Sequence, residues 1–438
     1  MTHLDDVSAR SDYAIAALLA GHPDDAREYM AYTGAGRLPQ GEFDPGVQIK
    51  VPECGGDANL KPEDAAVIEF SIGDNGNVIG SEPVYAAGGG EAALAFARAA
   101  QDWSWTPDQV KNLPPFFRYN VRVELRCSTA FERPSLGTYL DQELGNWLDD
   151  KHLPVTPPIL GSDAAALPKL RERLAAQQAA AGPDALELVP TMVAIAENSV
   201  AGQDESNRMA TRALAIVEAN GASPVARLAV ERLVWTTAQT ESWRSGVFDR
   251  IVAPHLNDPV YANAPAARAA LRIMLADEGS GHDSARARPL LQEVADDPAL
   301  DAHSSLKIGA LIRLASLEVN DGKPDLARAT FARTGLSGDQ CALLDAPPKF
   351  LASGAGASDF PQEALHWGFE GWTKVQFDIG ADGHVLNARA IASYPPFVFT
   401  KAGMGVVDEA RFQKSYRPDG GLGCSGQARQ IKFRIAKF

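Results

Sequence analysis

Residues Phe377–Pro396, FDIGADGHVLNARAIASYPP, repeat the pattern of Phe70–Gly89, FSIGDNGNVIGSEPVYAAGG, far upstream in the same chain. Phe70-Ser71-Ile72-Gly73 and Phe377-Asp378-Ile379-Gly380 alternate apolar with polar or small residues, the period of a half-buried strand. A turn signal follows in each, Asp74-Asn75-Gly76 and Ala381-Asp382-Gly383, with Gly where positive φ is needed. Val78-Ile79 and Val385-Leu386 then restart the apolar pattern, so both stretches read as β-hairpins. Asp beside Gly also occurs in calcium loops, but the remaining ligand spacing and the terminal Glu are missing.

Working outward, a helical stretch follows each hairpin, Glu91–Ala100 in the first and about Ala402–Gln413 in the second. Each precedes an aromatic-x-Pro signal read as a helix stop, Trp105-Thr106-Pro107 and Tyr416-Arg417-Pro418. A strand of period two closes each unit, with Tyr119, Val121, Val123 and Leu125 on one face of the first and Ile431, Phe433 and Ile435 on one face of the second. Each unit is therefore expected to be β-β-α-β, a helix packed on a small antiparallel sheet. The repeat reaches further back: Gly21–Arg27 (GHPDDAR) and Gly322–Arg328 (GKPDLAR) share one pattern, each after an apolar helical run, Tyr13–Ala20 and Leu306–Val319.

From about Asp163 to Thr334 the sequence carries Ala, Leu, Arg and Glu at helical spacing, for example Ala213, Leu214, Ile216 and Val217, punctuated by Gly202, Gly221, Pro254 and Gly281. A stack of helical pairs follows from that pattern, and the run Leu311 to Phe331 is similar to a tetratricopeptide repeat. The expected fold class is α+β, two small β-β-α-β modules flanking an α-helical region. The expected limits are 11–34 for a helical hairpin, 48–127 for the first module, 135–346 for the helical repeats and 347–438 for the second module.

At 438 residues with 45% apolar and 22% charged side chains, the chain is long enough for two to four domains. Lys and Arg number 41 against 56 Asp and Glu, a net charge of -15 with no basic run, which argues against nucleic acid as a partner. No stretch approaches the roughly 20 apolar residues of a membrane-spanning helix, so no transmembrane segment is expected in this chain. The opening MTHLDDVSAR has no secretory signal pattern, which leaves a cytoplasmic protein or one whose leader precedes this numbering.

Four cysteines, Cys54, Cys127, Cys341 and Cys424, form no CxxC pair. Of the three connectivities, the one that keeps each bridge in its own half joins Cys54 to Cys127 and Cys341 to Cys424. That symmetric placement favours an oxidising compartment over four buried free thiols. No HExxH, GxSxG or phosphate loop is present, and no Lys-Ser/Thr follows Gly88-Gly89-Gly90. No metal, cofactor or catalytic constellation is expected.

Asp359-Phe360-Pro361 with Ala364, Gly368 and Gly371, the hairpin Val375–Val385, Ser393, Ser415-Tyr416-Arg417-Pro418 and a last strand ending in Phe438 together resemble the C-terminal domain of TonB-type energy transducers. The first copy matches only from its hairpin onward, with Lys61-Pro62 where Phe360-Pro361 would be. The resemblance implies the periplasm of a Gram-negative bacterium and a domain that grips an extended segment of an outer-membrane receptor. The chain shows neither the membrane anchor nor the Pro-rich spacer of a transducer. The expectation is thus a non-enzymatic periplasmic binding or adaptor protein that recognises a peptide of an envelope partner by β-strand addition. Gln430, Lys432 and Arg434, which alternate with the core-facing set of the last strand, are the candidate peptide-binding residues. The alternatives are the soluble part of an energy transducer for outer-membrane transport, its anchor missing from this chain, and an enzyme with its site at a module interface.

Overall fold

In the computed structural model, which describes residues 3–22, 24–26, 29, 43–113, 118–130, 135–154, 156–238, 247–278, 284–337, 348–418 and 426–435, both hairpins form. Helix α1 (His3–Leu19) precedes a first unit of β1 (Ala65–Ile72), β2 (Val78–Ala87), α2 (Gly90–Gln101), a short α3 (Pro107–Lys111) and β3 (Val121–Arg126). The helical region comprises α4 (Leu136–Asp149), α5 (Asp163–Ala181), α6 (Val189–Ala196), α7 (Gln203–Ala219), α8 (Pro224–Ala238), α9 (Val247–Val252), α10 (Pro259–Ala262), α11 (Pro265–Glu278), α12 (Ser284–Ala295), α13 (Ser305–Asn320) and α14 (Pro324–Ala332). The second unit runs β4 (Phe350–Ala352), α15 (Gln362–Trp367), β5 (Gly371–Ile379), β6 (Val385–Tyr394), α16 (Thr400–Asp408), β7 (Arg411–Phe412) and β8 (Gln427–Phe433).

The two hairpins share one strand register. Each β1–β2 pair has its β5–β6 counterpart at one constant offset in residue number: Ala65 opposite Ala87 and Trp372 opposite Tyr394, Ile68 opposite Pro83 and Val375 opposite Ala390, Ile72 opposite Val78 and Ile379 opposite Val385. Both β-bulges recur at matching positions. The turn glycines explain why the pattern is so strict there. Gly76 and Gly383 adopt φ of +85° and +83°, and an added Cβ would lie 1.9 Å from the Trp105 carbonyl oxygen and 2.1 Å from that of Phe412.

The units flank the helical region in sequence but adjoin in space. One six-stranded antiparallel sheet runs β2-β1-β3-β6-β5-β8, joined where Glu124 pairs with Ser393 and Leu125 with Ala392. The second unit repeats the strand order of the first with all strand directions reversed. That operation is a two-fold screw along the sheet, and it puts the two helices on opposite faces. Ala92, Phe96, Ala97 and Ala100 of α2 pack with Ile68, Phe70, Trp103 and Trp105, in a core that reaches Leu125, Trp372 and Tyr394 across the joint. Val407 of α16 instead packs with Val375, Phe377 and Ile379, the alternate set of β5. Ala14 and Ile15 of α1 share a third cluster with Phe399 and Phe433.

In the helical region successive helices pack on one another, α6 on α7, α7 on α8 and then α11 through α14 in turn, while α4 packs on α8. A large apolar core extends from Leu140 to Leu314, beside a small cluster of Ala196, Ala210 and Leu233. It docks on the sheet units at both ends: the Asp163 and Ala164 N–H groups that open α5 donate to Gln48 Oε1 (2.8 Å) and Ser104 Oγ (3.0 Å), and Tyr416 N–H donates to Ser316 Oγ of α13 (3.2 Å).

Several local expectations are corrected. Helix α16 ends at Asp408 instead of Gln413, because Arg411–Phe412 leave it to pair as β7 with β4. The true counterpart of Trp105 is Phe412, since each contacts its hairpin turn through the same backbone bond, Trp105 N–H to Gly76 O (2.9 Å) and Phe412 N–H to Gly383 O (3.0 Å). Pro107 opens α3 behind the Thr106 capping box, while α2 ends earlier, at Gln101. Tyr119 is exposed and precedes β3. The proposed Cys341–Cys424 bridge, most of the second helix of the 11–34 hairpin and Phe438 lie outside the described residues.

Candidate peptide-binding edge

Strand β8 pairs with β5 over seven consecutive residues without a bulge, Phe377 opposite Gln427 through Gly371 opposite Phe433, and nothing pairs with its other edge among the described residues. Alternate N–H and C=O groups along that edge are therefore directed away from the sheet. At the other end of the sheet, β2 carries both bulges and Pro83, features that break an edge ladder. Beside β8, the Arg429 guanidinium stacks 4.0 Å from the Phe350 ring centroid, and Phe350 and Leu351 of β4 are exposed.

The candidate residues Gln430, Lys432 and Arg434 fall on the face opposite α16, the one that also bears Trp372 and Lys374. The chain itself lies over part of that face. Asp44 Oδ1 accepts from Lys432 Nζ at 2.8 Å and from an Arg434 guanidinium nitrogen at 2.6 Å. Lys432 nonetheless keeps 45% of its side chain exposed, whereas Arg434 is largely enclosed. Gln430 is half-buried, and its Nε2 has no hydrogen-bond partner among the described residues. These three residues are thus not equivalent: Lys432 remains half-exposed, and Arg434 is enclosed against Asp44.

Asp44 is itself fixed. Its carbonyl oxygen accepts from Trp105 Nε1 (3.1 Å), and Phe43 packs on Tyr394 with ring centroids 4.4 Å apart. The same segment binds two more cations of the second unit. Lys374 Nζ donates to Ile49 O (3.0 Å), and burial pulls its pKa below the ordinary lysine range. Arg389 donates to Pro62 O (2.6 Å), and burial followed by the nearby Arg126 lowers its pKa. The Cys54–Cys127 disulfide, with Cys54 N–H donating to Ser128 O (2.7 Å), fastens the segment to the end of β3.

At the joint between units, Glu124 is 2% exposed. Its Oε2 accepts from Phe397 N–H (3.0 Å) and the Thr400 hydroxyl (2.9 Å), and its Oε1 pairs with Arg126 at 3.0 Å. Sequence reasoning missed both Asp44 and Glu124. Neither left a signal, since Glu124 falls with Arg122 and Arg126 on the alternate face of a strand read as period two.

Among the described residues no cluster of His, Cys, Asp and Glu could hold a metal ion, and no helix is long and apolar enough to cross a membrane. Searches of curated proteins and of solved structures returned no match to the chain. Residues 357–435, which span α15 through β8, match the family described as Gram-negative bacterial TonB protein C-terminal, so the second sheet unit is a domain of that type.

Proposed function

We propose that the chain is a non-enzymatic periplasmic adaptor that takes up an extended peptide of an envelope protein partner along the outer edge of β8. The observation that carries this reading is the unbroken seven-residue ladder of β8, its second edge unpaired among the described residues, in the unit that matches the TonB family. Main-chain bonds to such an edge supply affinity, and the side chains flanking it select. Here those are Lys432 on one face and Arg429 with Phe350 and Leu351 on the other. The Cys54–Cys127 disulfide supports an oxidising compartment, in keeping with the periplasm. The first unit has the same strand register, but its third strand β3 is consumed by the joint to β6. It therefore acts as a structural partner, leaving one long recognition edge per chain.

The test uses synthetic peptides copied from N-terminal segments of outer-membrane receptors, titrated into the full chain by calorimetry. Strand addition uses the amides of one peptide edge only. N-methylation of alternate residues should therefore abolish binding in one frame and spare it in the other. Equal loss in both frames, or in neither, refutes the reading.

A further inference from the structure

The joint inside this chain is head to tail: the third strand of the first unit, β3, pairs with the second strand of the second unit, β6. Because both units have one register, the two strands left at the ends of the sheet are the same kinds of strand, β8 a third strand and β2 a second strand. A contact of this kind joins two different surfaces and leaves one of each free, so it does not close on itself. The bulges do not prevent it, because β6 carries the same bulges and is joined only beyond them, at Ala392 and Ser393. The counterparts in β2 are Tyr85 and Ala86, which likewise lie beyond Pro83.

We infer that β8 of one chain pairs with the end of β2 of a second copy, repeating the internal joint and extending the sheet from chain to chain. Carrying the β3–β6 register across places Gln430 opposite Ala86, Ile431 opposite Tyr85 and Arg429 opposite Ala87 of the neighbour. The charges complement one another: β8 carries Arg429 and Lys432, while β2 and the start of α2 carry Glu82 and Glu91. The turn after β2 is open as well. Gly88, Gly89 and Gly90 are exposed at the position where, inside the chain, the Phe397 turn receives Glu124. In β8 the residue standing where Glu124 stands is Gln430, which keeps a side-chain carbonyl acceptor at that position. This inference concerns the edge used in the proposed function without resting on it, and the two occupants of β8 compete.

Sedimentation equilibrium of the full chain tests it. The weight-average mass should climb with concentration from 46.7 kDa past the dimer without a plateau. Ala87→Lys, facing Arg429, should shift that curve to about threefold higher concentration, and Ala87→Glu to lower concentration by a similar factor. A constant 46.7 kDa, a plateau at a dimer, or the same shift for both charges overturns the inference. A receptor peptide that binds a strictly monomeric chain overturns the inference alone. No peptide binding at concentrations where the chain is monomeric, with self-association above them, overturns the proposed function alone.

Discussion

Replacing Glu124 by Ala should open the joint between the two sheet units. The carboxylate accepts from Phe397 N–H and the Thr400 hydroxyl, and it is 2% exposed, so in a closed site the amide would lose its partner and the hydroxyl would keep only its longer contact with Ser393 Oγ (3.3 Å). Each such loss costs about 1–3 kcal/mol, which sums to roughly 4 kcal/mol. Arg126, the third partner, is 29% exposed and regains water at little cost. Relief of the buried charge returns part of the loss, so a net of about 2–3 kcal/mol is expected. Glu124→Gln keeps one carbonyl acceptor and should lose about half as much. Native-state hydrogen exchange reads this directly: the opening free energy of amides in β3 and β6 and at Phe397 should fall by that amount, while amides of α11–α13 keep theirs. A loss below about 1 kcal/mol for the Ala variant, or one spread equally into the helical region, would refute the account of the joint.

Replacing both Cys54 and Cys127 by Ser frees a loop of 73 residues and should destabilise the first unit by about 4 kcal/mol in denaturant unfolding; a shift under 1 kcal/mol would contradict that closure. Gly383→Ala should cost at least about 2 kcal/mol, because it combines positive φ with an approach to the Phe412 carbonyl oxygen that side-chain motion cannot relieve. Asp44→Asn should raise affinity for peptides carrying acidic residues several-fold at low salt, by releasing Lys432, and the gain should vanish in high salt; an unchanged affinity would mean that Lys432 does not face the ligand. Hydrogen bonds from Arg268 to Asp297 and from Arg171 to Glu205 hold both carboxyls below the ordinary carboxylate range. Their folded pKa values are depressed, so the stability they contribute is full at neutral pH and is lost as pH falls through the acid range. Asp297→Asn should therefore lower stability at pH 7 and flatten the acid limb of the stability curve.

The hairpins were legible because their information is local: strand alternation around a turn where Gly383 and Gly76 have no substitute. The shared sheet was not, because the pairing of Glu124 with Ser393 joins residues far apart in the chain, and no periodicity in either strand encodes its partner. The end of α16 was misjudged for a related reason. Val406 and Val407 fit a helix, and the change to strand at Arg411 depends on β4, which tertiary pairing brings alongside. The alternation of β8 correctly separates Phe433 from Lys432, yet it could not reveal that Asp44 covers part of the polar face. The segment that carries Asp44 forms isolated bridges and carbonyl contacts instead of a periodic element, so only the fold discloses its role.

The central claim is that the outer edge of β8 receives an extended peptide. Hydrogen exchange at the individual amides of Gln427–Phe433, with and without a saturating receptor peptide, tests it most directly. Protection should rise at every second residue of β8, at the amides directed away from β5, with β2 unchanged. A bound peptide that leaves β8 exchange unaltered, or that protects the helical region instead, would contradict the claim.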